Sequence, residues 1–234
     1  RGLGDVYKRQ SYQGHLEIVR FLIESGGSVN QATEDGATPL WIASEKGHLE
    51  IVRFLIESEG SVNQARQDGA TPLWIASHKG HLDIVRFLIE SGGSVNQARQ
   101  DGATPLFIAS YNGHLEIVRL LIESGGSVNQ ADNKEATPLF VASQEGHLET
   151  ARLLIESGGS VNQINTEGRT PLHIASMFQH LEIVKVLIAN KANFLHKCRR
   201  GLTPLDCTMS SDIKEFIINH PWYRRRPLIV TRPH

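Results

Sequence analysis

The sequence contains few cysteines and almost no net charge. Among its 234 residues only Cys198 and Cys207 carry thiols, and the formal charge at pH 7 is −1. Two cysteines are too few for a disulfide scaffold, and their spacing matches no Cys-x-x-Cys pair, so a reducing, intracellular environment is expected. Because the chain has no basic excess, its overall electrostatics gives no reason to expect nucleic acid as a partner.

Long apolar runs and catalytic motifs are missing as well. No stretch approaches the ~18 apolar residues that a membrane span requires, and no Asn-x-Ser/Thr glycosylation sequence occurs. We find no nucleotide-binding loop, no Ser-His-Asp order and no local Cys-His motif. The sequence therefore predicts a non-enzymatic protein without catalytic residues, metal ligands, cofactor or obligate small molecule. We expect it in the cytoplasm, with the nucleus as the alternative.

What the sequence does contain is an internal repeat. The tripeptide Thr-Pro-Leu recurs at a constant step of 33 residues, and it begins at residues 38, 71, 104, 137, 170 and 203. Gly-His-Leu and Ser-Val-Asn recur in the same register in most copies. A fixed period of this length is typical of stacked repeat architectures, in which each unit buries its apolar face against its neighbours.

Within one unit the residues predict two helices joined by a turn. Thr38 suits a helix N-cap and Pro39 suits the first helical position. Gly47 is expected to end this helix, and a second helix with one apolar face is predicted from about Leu49 to Ser58. Asp-Gly pairs between the units predict the tight turns of hairpin tips.

This pattern resembles the ankyrin repeat, whose Thr-Pro-Leu-His-x-Ala core it nearly reproduces. The resemblance covers about residues 11 to 220. It implies an all-α repeat solenoid in which helix-turn-helix units stack and short β-hairpin loops project to one side. It also implies a concave face, lined by the hairpin tips and the ends of the first helices, that binds another protein.

The register predicts where the units begin and end. A partial N-terminal repeat covers residues 11–32, a shortened C-terminal capping repeat covers 198–220, and a basic tail covers 221–234. The full repeats between them are 33–65, 66–98, 99–131, 132–164 and 165–197. In the partial unit four apolar residues are expected to lack part of their cover: Leu16, Val19, Leu22 and Ile23.

The two ends of the sequence depart from the pattern. The segment from Asp5 to Gln10 resembles the translation of a transposon end used in sequencing libraries, so residues 1–10 are interpreted as a non-native scar on a fragment. A divergent native N-cap is the alternative. The tail, with three adjacent arginines, is interpreted as a solvated linker of a protein that continues. An import signal or a docking arm for an acidic partner is the alternative.

Histidine and asparagine recur in register through the chain. The histidines are His15, His48, His81, His114, His147 and His180, and the asparagines are Asn30, Asn63, Asn96, Asn129 and Asn162. Successive histidines are expected about 10 Å apart in stacked layers, too far to share a metal ion. Both sets are interpreted as framework side chains that hydrogen-bond to neighbouring backbone groups.

Positions that differ between the copies are the candidates for partner binding. They lie at the ends of the first helices and in the hairpin tips, which line the binding face in the family that the sequence resembles. The candidates are Glu45, Lys46, Arg66, His78, Lys79, Arg99, Tyr111, Asn112, Gln144, Glu145, Met177 and Phe178. Neutral variation of a solvated surface is the alternative.

Aromatic residues replace the usual histidine after Thr-Pro-Leu. The place holds Trp41, Trp74, Phe107 and Phe140, and only then His173. Each aromatic precedes a variable position by four residues and shares a helical face with it, so all four are included among the candidate partner-binding residues. In the alternative interpretation the rings pack against adjacent layers in place of a framework histidine.

One turn differs from the others in its backbone requirement. Glu135 replaces the glycine found at residues 36, 69, 102, 168 and 201. We therefore expect left-handed backbone geometry at Glu135, at a cost of about 1–2 kcal/mol.

The sequence thus predicts a non-catalytic scaffold that binds a protein partner through its concave face and hairpin tips. The alternative is a targeting or regulatory repeat region of a larger multidomain enzyme or channel whose other domain lies outside this fragment. A third hypothesis, nucleic-acid binding through the arginine tail, predicts a steep salt dependence of binding.

Overall fold

The computed structural model describes residues 9–224, apart from the side chains of Trp222 and Arg224. A helical turn at residues 9–13 precedes the helices. These are α1 Leu16–Glu24, α2 Pro39–Lys46, α3 Leu49–Glu57, α4 Pro72–Lys79, α5 Leu82–Glu90, α6 Pro105–Asn112, α7 Leu115–Glu123, α8 Pro138–Glu145, α9 Leu148–Glu156, α10 Pro171–Met177, α11 Leu181–Ala189, α12 Ser211–Asn219 and α13 Pro221–Arg224. No residue between 9 and 224 lies in a β-strand.

The first helix of each full unit begins at the proline that follows a capping threonine. The Thr38 Oγ1 atom accepts a hydrogen bond from the backbone N–H of Trp41 at 3.1 Å, and the next three units repeat this bond. Pro39 occupies the first helical position, where its missing N–H leaves no bond unmade. Gly47 follows the last residue of α2 with a φ of 82°. The predicted start and end of the first helix are confirmed.

The second helix of each unit supplies most of the core. In α3, which ends one residue before the predicted Ser58, Ile51, Val52 and Leu55 are buried on one face. First helices pack against first helices of the next unit, and second helices pack against second helices. A continuous apolar core therefore runs through the stack from Val19 to Ile217.

The connections between units are tight turns. In the turn that begins at Arg66, the backbone N–H of Arg66 donates to the Ala70 carbonyl at 3.0 Å. One further bond joins neighbouring turns, from the Gln67 N–H to the Asp35 carbonyl at 2.9 Å. Single bonds of this kind do not make a ladder, so the predicted hairpin loops are present as turns without strands.

Glu135 takes the backbone geometry that its position demands. Its φ is 59°, in the left-handed region that glycine occupies at residues 36, 69 and 102. The predicted left-handed geometry of a non-glycine residue in this turn is confirmed, and its energetic cost stays a prediction.

The exposed apolar side chains of the N-terminal unit are not the ones that were predicted. Val19 and Leu22 are buried in the shared apolar core, and α3 packs against the helix that carries them. Leu16 and Ile23 are half-buried. The uncovered side chains are Ile18 and Phe21, which are 41% and 67% exposed, whereas Ile51 at the place of Ile18 in the next unit is 2% exposed. The prediction was wrong for Val19 and Leu22 because the face that lacks a neighbour is the one that carries Ile18.

The last unit keeps only its second helix. Residues 204–207 form a turn in place of a first helix. Ser210 then caps α12, whose Ile213 and Ile217 are buried against the preceding unit. The predicted tail begins with α13, and its residues 225–234 lie outside the described part of the chain, as do residues 1–8 of the predicted scar. The unit boundaries themselves stay a prediction.

Candidate functional site

The recurring histidines join each layer to the one before it. The His81 Nε2 atom lies 3.1 Å from the Glu45 carbonyl oxygen, 36 residues earlier. The equivalent contacts, at 2.9–3.1 Å, are His48 to Tyr12, His114 to His78, His147 to Tyr111 and His180 to Gln144. A Cβ atom at Gly47 would lie 2.8 Å from the His81 ring, so glycine is needed where the ring crosses the turn. These five rings are framework, as predicted, whereas the described contact of His15 is with the Gln10 side chain, with 2.6 Å between Nδ1 and Oε1.

The recurring asparagines clamp the loops of successive layers. The Asn96 side chain donates from Nδ2 to the Gly125 carbonyl at 3.0 Å, and its Oδ1 accepts the Ser127 N–H at 2.8 Å. Asn30, Asn63, Asn129 and Asn162 make the same pair of bonds to the next layer. The predicted framework role is confirmed, and the backbone groups that they satisfy belong to the following unit.

The aromatic row lies between the layers. Trp41, Trp74, Phe107 and Phe140 are 4–7% exposed. The Trp41 indole N–H donates to the Ala70 carbonyl at 3.1 Å, and the Trp74 indole N–H donates to the Ala103 carbonyl at 3.0 Å. The burial of all four rings supports the packing interpretation and leaves little of their surface for a partner.

His173 occupies the position of these aromatic residues after Thr-Pro-Leu, and it makes the same kind of interlayer bond. Its Nε2 lies 3.1 Å from the Leu202 carbonyl oxygen, and its Nδ1 accepts the Thr170 N–H at 3.2 Å. Burial lowers the pKa of His173 to about 4, which keeps the ring neutral and consistent with this pattern. Indole and imidazole N–H groups thus make one equivalent interlayer bond, which the phenylalanines cannot make.

Two arginines in the turns pack on the tryptophans. The Arg66 guanidinium lies 4.8 Å from the Trp41 ring centre, and Arg99 lies 4.9 Å from that of Trp74. Each also meets an aspartate of its own turn, with Arg99 2.6 Å from Asp101. Each of these half-buried arginines already contacts a carboxylate and an aromatic face. Its positive charge is therefore partly compensated within the protein.

The variable side chains at the helix ends form one row across the layers. We call this set the helix-end row: Tyr12, Glu45, Lys46, His78, Lys79, Tyr111, Asn112, Gln144, Glu145, Met177 and Phe178. The Lys46 ammonium lies 4.0 Å from the centre of the Tyr12 ring in the preceding layer. In the same way Asn112 reaches back to His78, with 3.2 Å between Nδ2 and Nδ1. At these two places, side chains of the row contact the layer before them.

The chemistry of the helix-end row changes along the stack. Lys46 forms an ion pair with Glu45 at 3.3 Å, whereas Lys79 has no ion pair with any described residue. Further along, the row mixes polar and aromatic side chains, with Tyr111 39% exposed and Phe178 51% exposed. Sequence reasoning did not include Tyr12 in this row, although its position 33 residues before Glu45 was the signal for it.

The described residues contain no cluster of metal ligands. Between residues 9 and 224, no group of three or more histidine, cysteine, aspartate or glutamate side chains could hold a metal ion. No helix in this range is long and apolar enough to cross a membrane. An apolar cavity of about 770 Å³ lies near the C-terminal helices, where Phe194, Leu195 and His220 line it. None of the predicted site residues takes part in it.

Comparison with known proteins identifies the repeat. A family model for ankyrin repeats, in three copies, matches residues 9–99, 92–165 and 152–220. A crystal structure of the human ASB11 ankyrin repeat domain superposes with a TM-score of 0.82 at 27% sequence identity, covering 94% of this chain and 98% of that one. It is one of 606 matching chains of known structure, so the fold alone does not select a partner. No curated protein matches the chain. The chain belongs to the ankyrin repeat family.

Proposed function

We propose that this chain is a non-catalytic scaffold that binds a partner protein through the helix-end row and the tips of the turns. Ankyrin repeats are generally protein-interaction modules. The observation that carries the proposal is the helix-end row itself, where side chains that vary along the stack lie on a framework of repeated interlayer bonds. The bonds fix the layers, so that the variable side chains are free to meet a partner.

The rigidity of the framework supports this proposal. Each layer is held to the next by a histidine bond and a pair of asparagine bonds. A surface that is already ordered loses little conformational entropy when a partner docks. Affinity then depends on a few anchors, for which the exposed rings of Tyr111 and Phe178 are the best candidates.

The turn tips belong to the same proposed surface. Arg66 and Arg99 are half-buried, and their guanidinium groups are held over the tryptophan rings. They support the tips and offer the outer edges of their guanidinium groups to a partner. The buried rings of Trp41, Trp74 and Phe107 then contribute to partner binding only indirectly, because they fix the positions of neighbouring exposed side chains.

We propose an intracellular location for this scaffold, in the cytoplasm or the nucleus. The support is the free state of Cys198 and Cys207, both of which the fold leaves unpaired. Fractionation of the source cells with an antibody to the chain tests the proposal. Recovery in the secreted fraction would contradict it.

Site-specific photo-crosslinking tests the binding surface. A photoreactive amino acid is placed at Tyr111 in the helix-end row or at Arg119 on α7, a matched exposed position outside the row, and both variants are expressed in the source cells. We expect one partner protein to be crosslinked from position 111 and not from position 119. Equal crosslinking at both positions, or at position 119 alone, would contradict the proposed surface.

The similar human structure supports one alternative. It is itself described as an ankyrin repeat domain, which favours a role for this chain as the repeat region of a larger protein. An antibody to the chain, used on denatured extracts of the source cells, measures the mass of the natural protein. A mass near 25.9 kDa would leave no room for a second domain and would exclude this alternative.

A further inference from the structure

The middle of the helix-end row carries one cation, Lys79, that forms no ion pair with any carboxylate in residues 9–224. Lys79 is exposed at the end of α4, and no described carboxylate lies within ion-pair distance of it. Its counterpart one layer earlier, Lys46, is held by Glu45 at 3.3 Å and by the Tyr12 ring. Because Glu45 is engaged with Lys46, the ammonium group of Lys79 is free for a partner.

His78, next to Lys79, is held in a fixed orientation. Its ring stacks on Trp74 with 5.5 Å between the ring centres. The Asn112 amide donates to His78 Nδ1 at 3.2 Å and also to the Ile108 carbonyl at 2.8 Å. Since Nδ1 accepts a hydrogen bond, the neutral ring carries its proton on Nε2. That N–H has no partner among the described residues.

The groups around His78 are mainly positive. Burial lowers the pKa of His78, and the nearby Lys79, His114 and Arg99 lower it further, while Glu45 opposes them. Trp74 and Asn112, which pack against the ring, are neutral. An anion placed beside Lys79 would therefore meet a positive potential and a preoriented N–H donor.

We propose that Lys79 and His78 bind a carboxylate of an acidic side chain that the partner places across the middle of the helix-end row. This inference rests on the proposed function and adds the chemical class of the partner segment. The exposed ring of Tyr111, one layer on, lies about 10 Å further along the stack. The partner segment therefore carries an acidic residue followed by an apolar residue that contacts this ring.

Selection from a library of random 16-residue peptides displayed on phage tests the inference. The targets are the wild-type chain, Lys79→Glu and the control Lys214→Glu, which makes the same charge change on α12, outside the helix-end row. We expect wild-type and control selections to be enriched in Asp or Glu. We expect Lys79→Glu to weaken these peptides about tenfold or more, since a charge-assisted hydrogen bond is lost and repulsion replaces it.

The variant Tyr111→Ala distinguishes failure of the carboxylate site from failure of the whole binding surface. Peptides that lose affinity for Tyr111→Ala but show no acidic enrichment and no loss with Lys79→Glu would overturn the carboxylate site while leaving the binding surface intact. Peptides indifferent to Tyr111→Ala and Lys79→Glu alike would contradict both, as would the absence of any selected peptide.

The pH dependence of a selected acidic peptide gives a second readout. The Nδ1 atom of His78 accepts the Asn112 hydrogen bond, so the ring binds the carboxylate as the neutral Nε2–H donor and takes up no proton. Affinity should therefore change little between about pH 7.5 and 6, where the peptide carboxylate stays ionised. A marked tightening as pH falls, absent in His78→Gln, would overturn the assigned role of the neutral imidazole.

Discussion

At the scale of the single residue, a buried N–H donor after Thr-Pro-Leu joins one layer to the next in three of the units. Trp74 donates to the Ala103 carbonyl at 3.0 Å, and His173 makes the equivalent contact to Leu202. We expect Trp74→Phe to lower the free energy of unfolding by about 1–2 kcal/mol, because it removes this bond. Urea unfolding measures the change.

Histidine at the same place is the matched control for this prediction. Trp74→His restores an N–H donor of the kind that His173 already supplies. Its stability at pH 7.5 is expected to lie above that of Trp74→Phe. Equal midpoints for Trp74→Phe and the wild type would show that the indole bond contributes nothing.

His173 makes stability depend on pH. Its pKa in the folded state is about 4, whereas an unfolded histidine titrates near ~6.5. Between these values the unfolded chain binds more protons, so stability is complete above about pH 6.5 and is lost as pH falls toward 4. The loss amounts to roughly 3 kcal/mol at most, measured by urea unfolding at several pH values.

His173→Phe isolates this effect from the titration of the carboxylates. Phenylalanine stands at the same place in two other units, as Phe107 and Phe140, so the variant is expected to fold. Its stability should fall less steeply between pH 6.5 and 4.5 than that of the wild type. Parallel curves for the two proteins would refute the assignment to His173.

Glu135 stores strain that glycine would release. Its φ of 59° costs about 1–2 kcal/mol for a residue with a Cβ, partly offset because glycine makes the unfolded chain more flexible. We expect Glu135→Gly to raise the melting temperature, with a net gain of roughly 0.5–1 kcal/mol. The reverse change, Gly102→Glu, should lower it, since a Cβ there would lie 2.8 Å from the Asn133 nitrogen. An unchanged melting temperature for Glu135→Gly would show that the turn is unstrained.

At the scale of the structural element, the asparagine clamps hold each loop to the next. Asn96 makes one bond through its Nδ2 and one through its Oδ1. We expect Asn96→Ala to cost about 2 kcal/mol, at about 1 kcal/mol for each bond. Asn96→Asp keeps the acceptor and loses the donor, and it should show an intermediate stability in thermal unfolding. If both variants melt at the wild-type temperature, the clamp has no energetic role.

Elements were largely predictable from sequence because their boundaries rest on local chemistry. Thr38, Pro39 and Gly47 set the limits of α2 through bonds and backbone angles within a few residues. Between residues 9 and 224 the predicted hairpin loops are turns without strands, because each turn makes two backbone bonds of its own and only one to the neighbouring turn. The position of a ring such as Trp41 was not decided by sequence. A ring that shares a helical face with a variable residue can be either buried or exposed. Contacts with the next layer decide which of the two occurs.

At the scale of the whole molecule, the open N-terminal face shows how far each unit depends on its neighbour. Ile18 is 41% exposed, while Ile51 in the next unit is 2% exposed. The two helices that carry them have the same sequence. The difference in burial therefore comes entirely from the stack, and the sequence of one unit could not have predicted it.

The candidate site was predicted in part. Sequence comparison among the repeats found the side chains of the helix-end row, because variation within a repeat is visible without a structure. It did not show that Lys46 is neutralised while Lys79 is not, since that difference depends on contacts between layers. The use of the row as a binding surface stays a proposal.

Amide hydrogen exchange, measured with and without the partner crosslinked from position 111, tests the proposed binding surface most directly. We predict slower exchange at the ends of the first helices, residues 111–113 and 144–146, and at the turn tips 66–69 and 99–102, with no change in α7. Slower exchange confined to the outer surface of α7 and the other second helices would contradict the proposed surface.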